Sequence, residues 1–169
     1  MAHPPAAKRL VAIYPGSFDP PTNGHLDIIE RGSRLAGSLT VAVLQNSQKQ
    51  PLFTVPERVE MIRELTRDLP NVTVDAFSGL LVDYAAKLQA DIILRGIRAI
   101  SDYEIELQMA LVNRRLRPQT ETVFLMAGEE FSFISSRLIK EIFTLGGDIS
   151  PFVPSPVARR LAAKLGSAE

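Results

Sequence analysis

Short apolar runs alternate along this chain with longer stretches in which apolar residues recur every three or four positions. The runs Leu10 to Tyr14, Leu39 to Leu44, Val72 to Phe77 and Asp91 to Leu94 have the length and composition of buried strands, and Thr122 to Met126 supplies a fifth. The stretches between them have helical spacing. Leu26, Ile29 and Leu35 mark the first helix, Val59, Ile62 and Leu65 the second, and Leu81, Tyr84, Ala85 and Leu88 the third. Ile105, Met109, Val112 and Leu116 trace one face of a long fourth. Thr54 with Glu57 and Ser101 with Glu104 have capping-box spacing, and Pro56 falls in a first turn, where its missing N–H does no harm. Two further helices are predicted over Ser135 to Phe143 and Pro156 to Leu165, the latter capped by Ser155 and stopped at Gly166.

Strands alternating with helices imply right-handed crossovers. The expected fold is α/β: one Rossmann-like, doubly wound domain with a mostly parallel five-stranded sheet and helices on both faces. Ligands of such sheets bind at the carboxyl ends of the strands. Residues 1–9, with two prolines and three alanines, read as a loose leader, and residues 10–169 as a single domain in which Pro151, Pro154 and Pro156 mark a loop.

Composition narrows the classes of function. With 169 residues and 46% hydrophobic content, the chain can bury a sizeable core. Lys and Arg total 19, Asp and Glu total 19, so no whole-protein field draws nucleic acid or an anionic membrane, and any anion site must be local. Cysteine is absent, which removes thiolate metal sites and thiol nucleophiles and suits a reducing compartment. No run approaches the roughly 18 apolar residues of a membrane span. A cytoplasmic protein is expected.

The stretch from Tyr14 to His25, YPGSFDPPTNGH, follows the first strand and leads into the first helix. Gly16 lets the backbone approach a ligand, Ser17 offers a hydroxyl, and Gly24-His25 opens a helix whose free N–H groups favour an anion. It has neither the P-loop nor the dinucleotide glycine pattern. On spacing alone it could be an ordinary turn, with His25 capping or packing. Further along, Arg95 ends the fourth strand, and Arg95 and Arg98 with Gly96 between them can reach phosphates from one short loop.

Gly16-Ser17-Phe18-Asp19-Pro20 followed by Thr22-Asn23-Gly24-His25 resembles the nucleotidyltransferase signature in which T-x-G-H or H-x-G-H binds nucleotide phosphates. Within that superfamily the chain is similar to the bacterial phosphopantetheine adenylyltransferases along nearly its whole length. Arg95-Gly96-Ile97-Arg98 with Asp102-Tyr103-Glu104-Ile105-Glu106 and Phe131-Ser132-Phe133-Ile134-Ser135-Ser136 match two later motifs of that family in order and spacing.

The resemblance implies the roles that follow. Ser17, Lys49, Leu81 and Arg95 would bind 4′-phosphopantetheine, with Lys49 on the acceptor phosphate. Ser17, Phe18, His25, Gly96, Ile97, Arg98, Glu106 and the run Phe131, Ser132, Phe133, Ile134, Ser135, Ser136, Arg137 would bind ATP. His25 would hold the α-phosphate and stabilise the transition state, with Lys49 and Arg98 as further catalytic cations. The chain departs from the family pattern twice: Arg137 stands where many members carry serine, and Phe131 where Trp or Tyr is usual. The implied reaction joins AMP from ATP to 4′-phosphopantetheine, giving 3′-dephospho-coenzyme A and pyrophosphate, by direct in-line displacement at the α-phosphate. An ionised acceptor phosphate needs no general base. No carboxylate cluster reads as a metal cage, so Mg2+ is expected to arrive with ATP and to take no ligand from protein side chains. A homohexamer and feedback inhibition by coenzyme A are inherited expectations. Two other readings stay open on sequence: another superfamily member, acting on nicotinate mononucleotide or making CDP-glycerol, and a nucleotide sensor without turnover.

Overall fold

A computed structural model describes residues 9–45 and 50–166, with Ser101 described by its backbone alone. The expected leader, residues 1–9, therefore lies outside the described residues except for Arg9. All five expected strands are present: β1 (Val11–Gly16), β2 (Ser38–Leu44), β3 (Val72–Phe77), β4 (Ile92–Ile97) and β5 (Glu121–Met126). They form one wholly parallel sheet in the order β3-β2-β1-β4-β5. Among the described residues six α-helices accompany them: α1 (Asn23–Leu35), α2 (Val55–Leu65), α3 (Leu81–Lys87), α4 (Ile100–Leu116), α5 (Ser136–Thr144) and α6 (Ser155–Leu165).

Alternation along the central strands feeds two cores. Ala12 and Tyr14 of β1 join Leu39, Val41 and Val43 of β2 in a cluster with Ile28 and Ile29 of α1 and Val59 and Ile62 of α2. Ile13 and Ala42 point the other way, towards Phe77, Tyr84 and Ala85. A third cluster, built on Phe53, Met61, Ile139, Val157 and Leu161, packs α5 and α6 against α2.

The order of strands reverses at β1, and the ladder shows what the reversal does. β1 pairs with β2 along all six of its residues, but with β4 only at Ala12 and Ile13. From Tyr14 onward β1 and β4 part. A crevice therefore opens at the carboxyl ends of the two central strands, where an open α/β sheet receives its ligand.

The Thr54–Glu57 capping box forms as expected: Thr54 N–H donates to Glu57 Oε2 at 2.6 Å, Glu57 N–H donates to Thr54 Oγ1 at 3.4 Å, and Pro56 lies in the first turn. Two other expectations are corrected. α4 starts one residue before Ser101 with Ala99 as its cap, so Ser101 and Glu104 occupy helical positions rather than those of a cap and its partner. α6 is capped by the backbone of Pro154, and Ser155 is its first helical residue. A third correction concerns the expected core face of α4, since Ile105, Met109, Val112 and Leu116 are 65%, 49%, 51% and 57% exposed. The residue of this helix turned inward is Asn113.

Replacing Thr54 by Ala removes one cap and should lower unfolding free energy by about 1 kcal/mol. Urea denaturation followed by circular dichroism should show a lower midpoint with an unchanged slope.

Candidate functional site

The crevice between β1 and β4 deepens into a cavity of about 330 Å³ lined by Tyr14 to Ser17 from β1 and its loop, Thr22, Gly24, His25 and Ile28 from α1 and its cap, Arg95 and Gly96 from β4 with Arg98 just after it, and Ser135 and Ser136 from the start of α5. A second cavity of about 370 Å³ adjoins it and is largely apolar, with Leu80, Leu81, Met109, Val112 and Leu116 in its wall. Pro15, Gly16, Ser17, Arg95 and Glu106 belong to both. The two hollows thus meet along a shared wall that carries a serine hydroxyl and an arginine.

His25 is held from behind. Thr22 caps α1, and the reciprocal bond of the capping box comes from the imidazole: the Thr22 backbone N–H donates to His25 Nδ1 at 3.0 Å. A ring nitrogen that accepts from an amide carries no proton, so in the neutral ring the proton resides on Nε2, which becomes a donor. Burial, together with the positive charge of Arg98 and Arg95, pushes the His25 pKa down from 6.5 to about 4. At neutral pH the site therefore offers an uncharged Nε2–H.

Phe18 completes the support. Its backbone adopts φ 49°, uncommon for a bulky side chain. The ring folds beneath Gly16, where a Cβ would stand 2.7 Å from Phe18 Cζ, so residue 16 must be glycine. The same ring meets the His25 imidazole edge-on, with centroids 5.0 Å apart. At 1% exposure Phe18 forms no part of the cavity wall, and it acts behind the histidine rather than beside a ligand.

The arginines are equally constrained. Arg95 grips Glu106 with Nε at 2.6 Å and with Nη2 on the other carboxylate oxygen, while its Nη1 donates to Pro15 O at 2.9 Å across the parted strands. Arg98 pairs with Asp102 at 2.9 and 3.2 Å and donates to Ile134 O at 2.8 Å, which ties the loop after β4 to the approach to α5. Ser135 caps α5 through Leu138 N–H at 3.1 Å, and Ser136 Oγ donates to Pro20 O at 2.8 Å. The start of α5 is thereby fixed against the loop that follows β1.

Of the residues singled out in the sequence, Ser17, His25, Arg95, Gly96, Arg98, Glu106, Ile134, Ser135 and Ser136 meet at the first cavity, and Leu81 lines the second. Glu106 faces both cavities through its pair with Arg95, not the first alone. Lys49 lies outside the described residues. Ile97 is buried at 3% exposure. Phe131 packs against Gly24 and Gly128, Ser132 Oγ donates to Glu129 O at 2.8 Å, Phe133 is exposed and edge-on to Phe152, and Arg137 is exposed. None of these five lines either cavity.

Sequence reasoning passed over Asp19, Arg58 and Lys140. Asp19 is 7% exposed and accepts hydrogen bonds from Leu52 N (3.0 Å), Phe53 N (2.8 Å) and Lys140 Nζ (2.9 Å). Burial works against its charge, but these three donors outweigh it and hold the carboxyl below its ordinary value. Arg58, buried on α2, donates to the carbonyls of Phe53, Ser17 and Leu44 at 3.0, 2.6 and 3.2 Å. Asp19 lay in plain view within the signature, but its partners stand 33 to 121 positions away and no local spacing announces them. Asn113 was also missed: it is buried in the wall of the second cavity, with no hydrogen bond from its side chain among the described residues.

No group of three or more His, Cys, Asp or Glu side chains gathers as a metal site among the described residues. No described helix is long and apolar enough to cross a membrane.

Comparison with known proteins agrees with this geometry. Residues 13–142 match the family model described as cytidylyltransferase-like. The chain is 56% identical over 154 residues to a phosphopantetheine adenylyltransferase of Caldanaerobacter subterraneus subsp. tengcongensis, covering 91% of this chain and 96% of that one. It is 57% identical over 149 residues to the protein of the same name from a Nostoc species, covering 88% and 78%. A Vibrio parahaemolyticus structure solved as a candidate nicotinate-nucleotide adenylyltransferase has the same fold, with TM-score 0.68 at 20% identity over 91% of this chain and 99% of that one.

The imidazole makes a direct prediction. Since its folded pKa lies below its ordinary value, the native state binds fewer protons than the unfolded chain between about pH 4 and 6.5, so the ring's contribution to stability is present above 6.5 and is lost as pH falls through about 4. Proton–nitrogen NMR of the free protein should show the Nε2–H tautomer and a midpoint near 4. A midpoint near 6.5 would contradict the assignment.

Proposed function

The chain belongs to the phosphopantetheine adenylyltransferases, a family of cytidylyltransferase-like nucleotidyltransferases, and from that membership we propose that it transfers AMP from ATP to 4′-phosphopantetheine. The products are 3′-dephospho-coenzyme A and pyrophosphate. The observation that supports this most is the pair of hollows with one wall in common. The polar one, with two helix starts and Arg98, suits a triphosphate. The apolar one, with Leu81 and the buried Asn113 amide, suits an arm of methylenes and amides. Ser17 and Arg95, at the junction, are where an acceptor phosphate and the α-phosphate would meet.

The chemistry follows from this placement. An oxygen of the acceptor phosphate, already ionised, forms the new bond to the α-phosphorus. The bond to the bridging oxygen breaks on the opposite side, and pyrophosphate leaves with the electron pair. No base is required, so the protein contributes alignment and charge stabilisation. His25 donates Nε2–H to a non-bridging α-phosphate oxygen, where charge grows in the transition state. Arg98 and the first turn of α5 hold the outgoing phosphates, and Lys49 is proposed on the acceptor phosphate. Among the described residues neither Ser17 nor His25 has a base poised to make it a nucleophile, which favours a single displacement with inversion and no adenylylated enzyme.

Mg2+ is proposed to enter on the triphosphate, whose charge it would neutralise. The carboxylates at the cavity, Asp102 and Glu106, are already engaged by Arg98 and Arg95, so the ion would rest on phosphate oxygens and water. Coenzyme A is proposed as an inhibitor because it resembles the product across both hollows. A homohexamer is proposed too, supported by the exposed apolar side chains of α4, among them Ile100 and Leu111. A cytoplasmic location goes with the use of ATP as donor.

Incubating the protein with ATP, Mg2+ and a panel of acceptors should give rapid pyrophosphate release and a dephospho-coenzyme A mass only with 4′-phosphopantetheine. Comparable turnover of nicotinate mononucleotide, or of pantetheine without its phosphate, would refute the substrate assignment. Replacing His25 by Ala should lower kcat by about 10²-fold or more with a smaller change in KM for ATP, because the donor acts chiefly in the transition state. Steady-state kinetics decides this, and an unchanged kcat would remove His25 from the mechanism.

A further inference from the structure

Tyr14 occupies the point at which β1 leaves β4. It is the first residue of β1 that pairs with β2 but no longer with β4, and its side chain fills the base of the crevice at 6% exposure. Its hydroxyl nevertheless has no hydrogen-bond partner among the described residues. A sealed hydroxyl in that state would be costly. This one is not sealed, because among the described residues no fully enclosed side-chain polar atom lacks a partner, and Tyr14 belongs to the wall of the first cavity. Gly96 faces it across the gap: a Cβ at that position would lie 3.6 Å from Tyr14 Oη and 3.1 Å from Ile28 Cγ1. The absent side chain leaves the space in front of the phenol open to a ligand.

Tyr14 also differs from its neighbours in which hollow it serves. Pro15, Gly16 and Ser17, the three residues that follow, line both cavities, whereas Tyr14 lines only the polar one. We propose that Tyr14 is a nucleotide-contacting residue whose phenol donates a hydrogen bond to ATP seated against Gly96, setting affinity for the donor substrate without touching the acceptor. This rests on the reading of the polar cavity as the ATP site. Burial raises the phenol pKa well above its ordinary value, and Arg95 and Arg98 offset this only in part. The group therefore keeps its proton at any working pH, and its part is to bind, not to exchange protons.

The test is Tyr14→Phe, which removes one oxygen and keeps the ring that meets Phe18 edge-on with centroids 5.4 Å apart. Wild type and variant are compared by steady-state kinetics for both substrates, by calorimetry with ATP and by melting without ligand. The expected result is a rise of about 3- to 10-fold in KM and Kd for ATP, the size of one neutral hydrogen bond. KM for 4′-phosphopantetheine and the ligand-free Tm should stay the same, since the hydroxyl has no partner to lose. Unchanged ATP affinity overturns the proposal, as does an equal loss for both substrates or a lowered ligand-free Tm, which would reveal a structural role. Failure of the underlying reading is separate: a wild-type protein that releases no pyrophosphate refutes the function, while ATP calorimetry still decides on Tyr14.

Discussion

The carboxylate of Asp19 joins three parts of the chain that would otherwise reach the site independently. It belongs to the loop after β1, accepts the amides of Leu52 and Phe53 from the connection between β2 and α2, and binds the ammonium of Lys140 on α5. Arg58 closes the arrangement by taking the carbonyls of Ser17, Leu44 and Phe53. Backbone donors and acceptors of the loop after β1 and of the connection from β2 to α2, which a turn ordinarily leaves to water, are thus taken up by two buried charged side chains. Ser17, α5 and the Leu52–Phe53 segment take their relative positions from it. Removing Lys140 would leave the buried Asp19 carboxylate without its ion-pair partner and loosen α5 from the loop after β1.

Electrostatics at the site is local, as a balanced count of 19 cationic and 19 acidic side chains requires. Arg95 at the end of β4 and Arg98 just after it are each paired with a carboxylate, which compensates much of their charge, and each arginine also holds a backbone carbonyl that fixes its direction. Against this background His25 contributes a dipole instead of a charge. A neutral donor gains most where charge develops during reaction, and the helix start behind it adds in the same sense. The two cations beside it help keep it neutral.

Much of this was legible in the sequence, for physical reasons that differ from element to element. Strands β1 to β5 were found because buried parallel strands are short, apolar and flanked by turn residues. The candidate site residues were legible because they fall in compact runs where strands end, such as Ser17 to His25 and Arg95 to Arg98, and the structure brings many of them to one crevice. The inward face of α4 was misread: its apolar positions are spread around the helix, and the side chain the structure buries is a polar one, Asn113. Ser101 and Ser155 satisfied a local capping rule that backbone geometry at Ala99 and Pro154 overrode. Phe18 was expected beside the ligand, and only the left-handed turn at its own backbone places it behind His25. Asp19 with Lys140 could not be read at all, since a contact across 121 positions leaves no trace in spacing.

The wall common to the two hollows has a consequence for what happens after the bond is made. On the proposed assignment of the hollows, two separate molecules would occupy the site before reaction, each giving up its own freedom to tumble and translate. Afterwards the nucleotide and the pantetheine arm would be one molecule spanning both hollows, whose common wall is Pro15, Gly16, Ser17, Arg95 and Glu106, and either half, on slipping out, would be returned by the other at high effective concentration. On that assignment the product would be a chelating ligand for the surface that made it. The architecture that favours encounter therefore retards departure, and escape requires both halves to let go together.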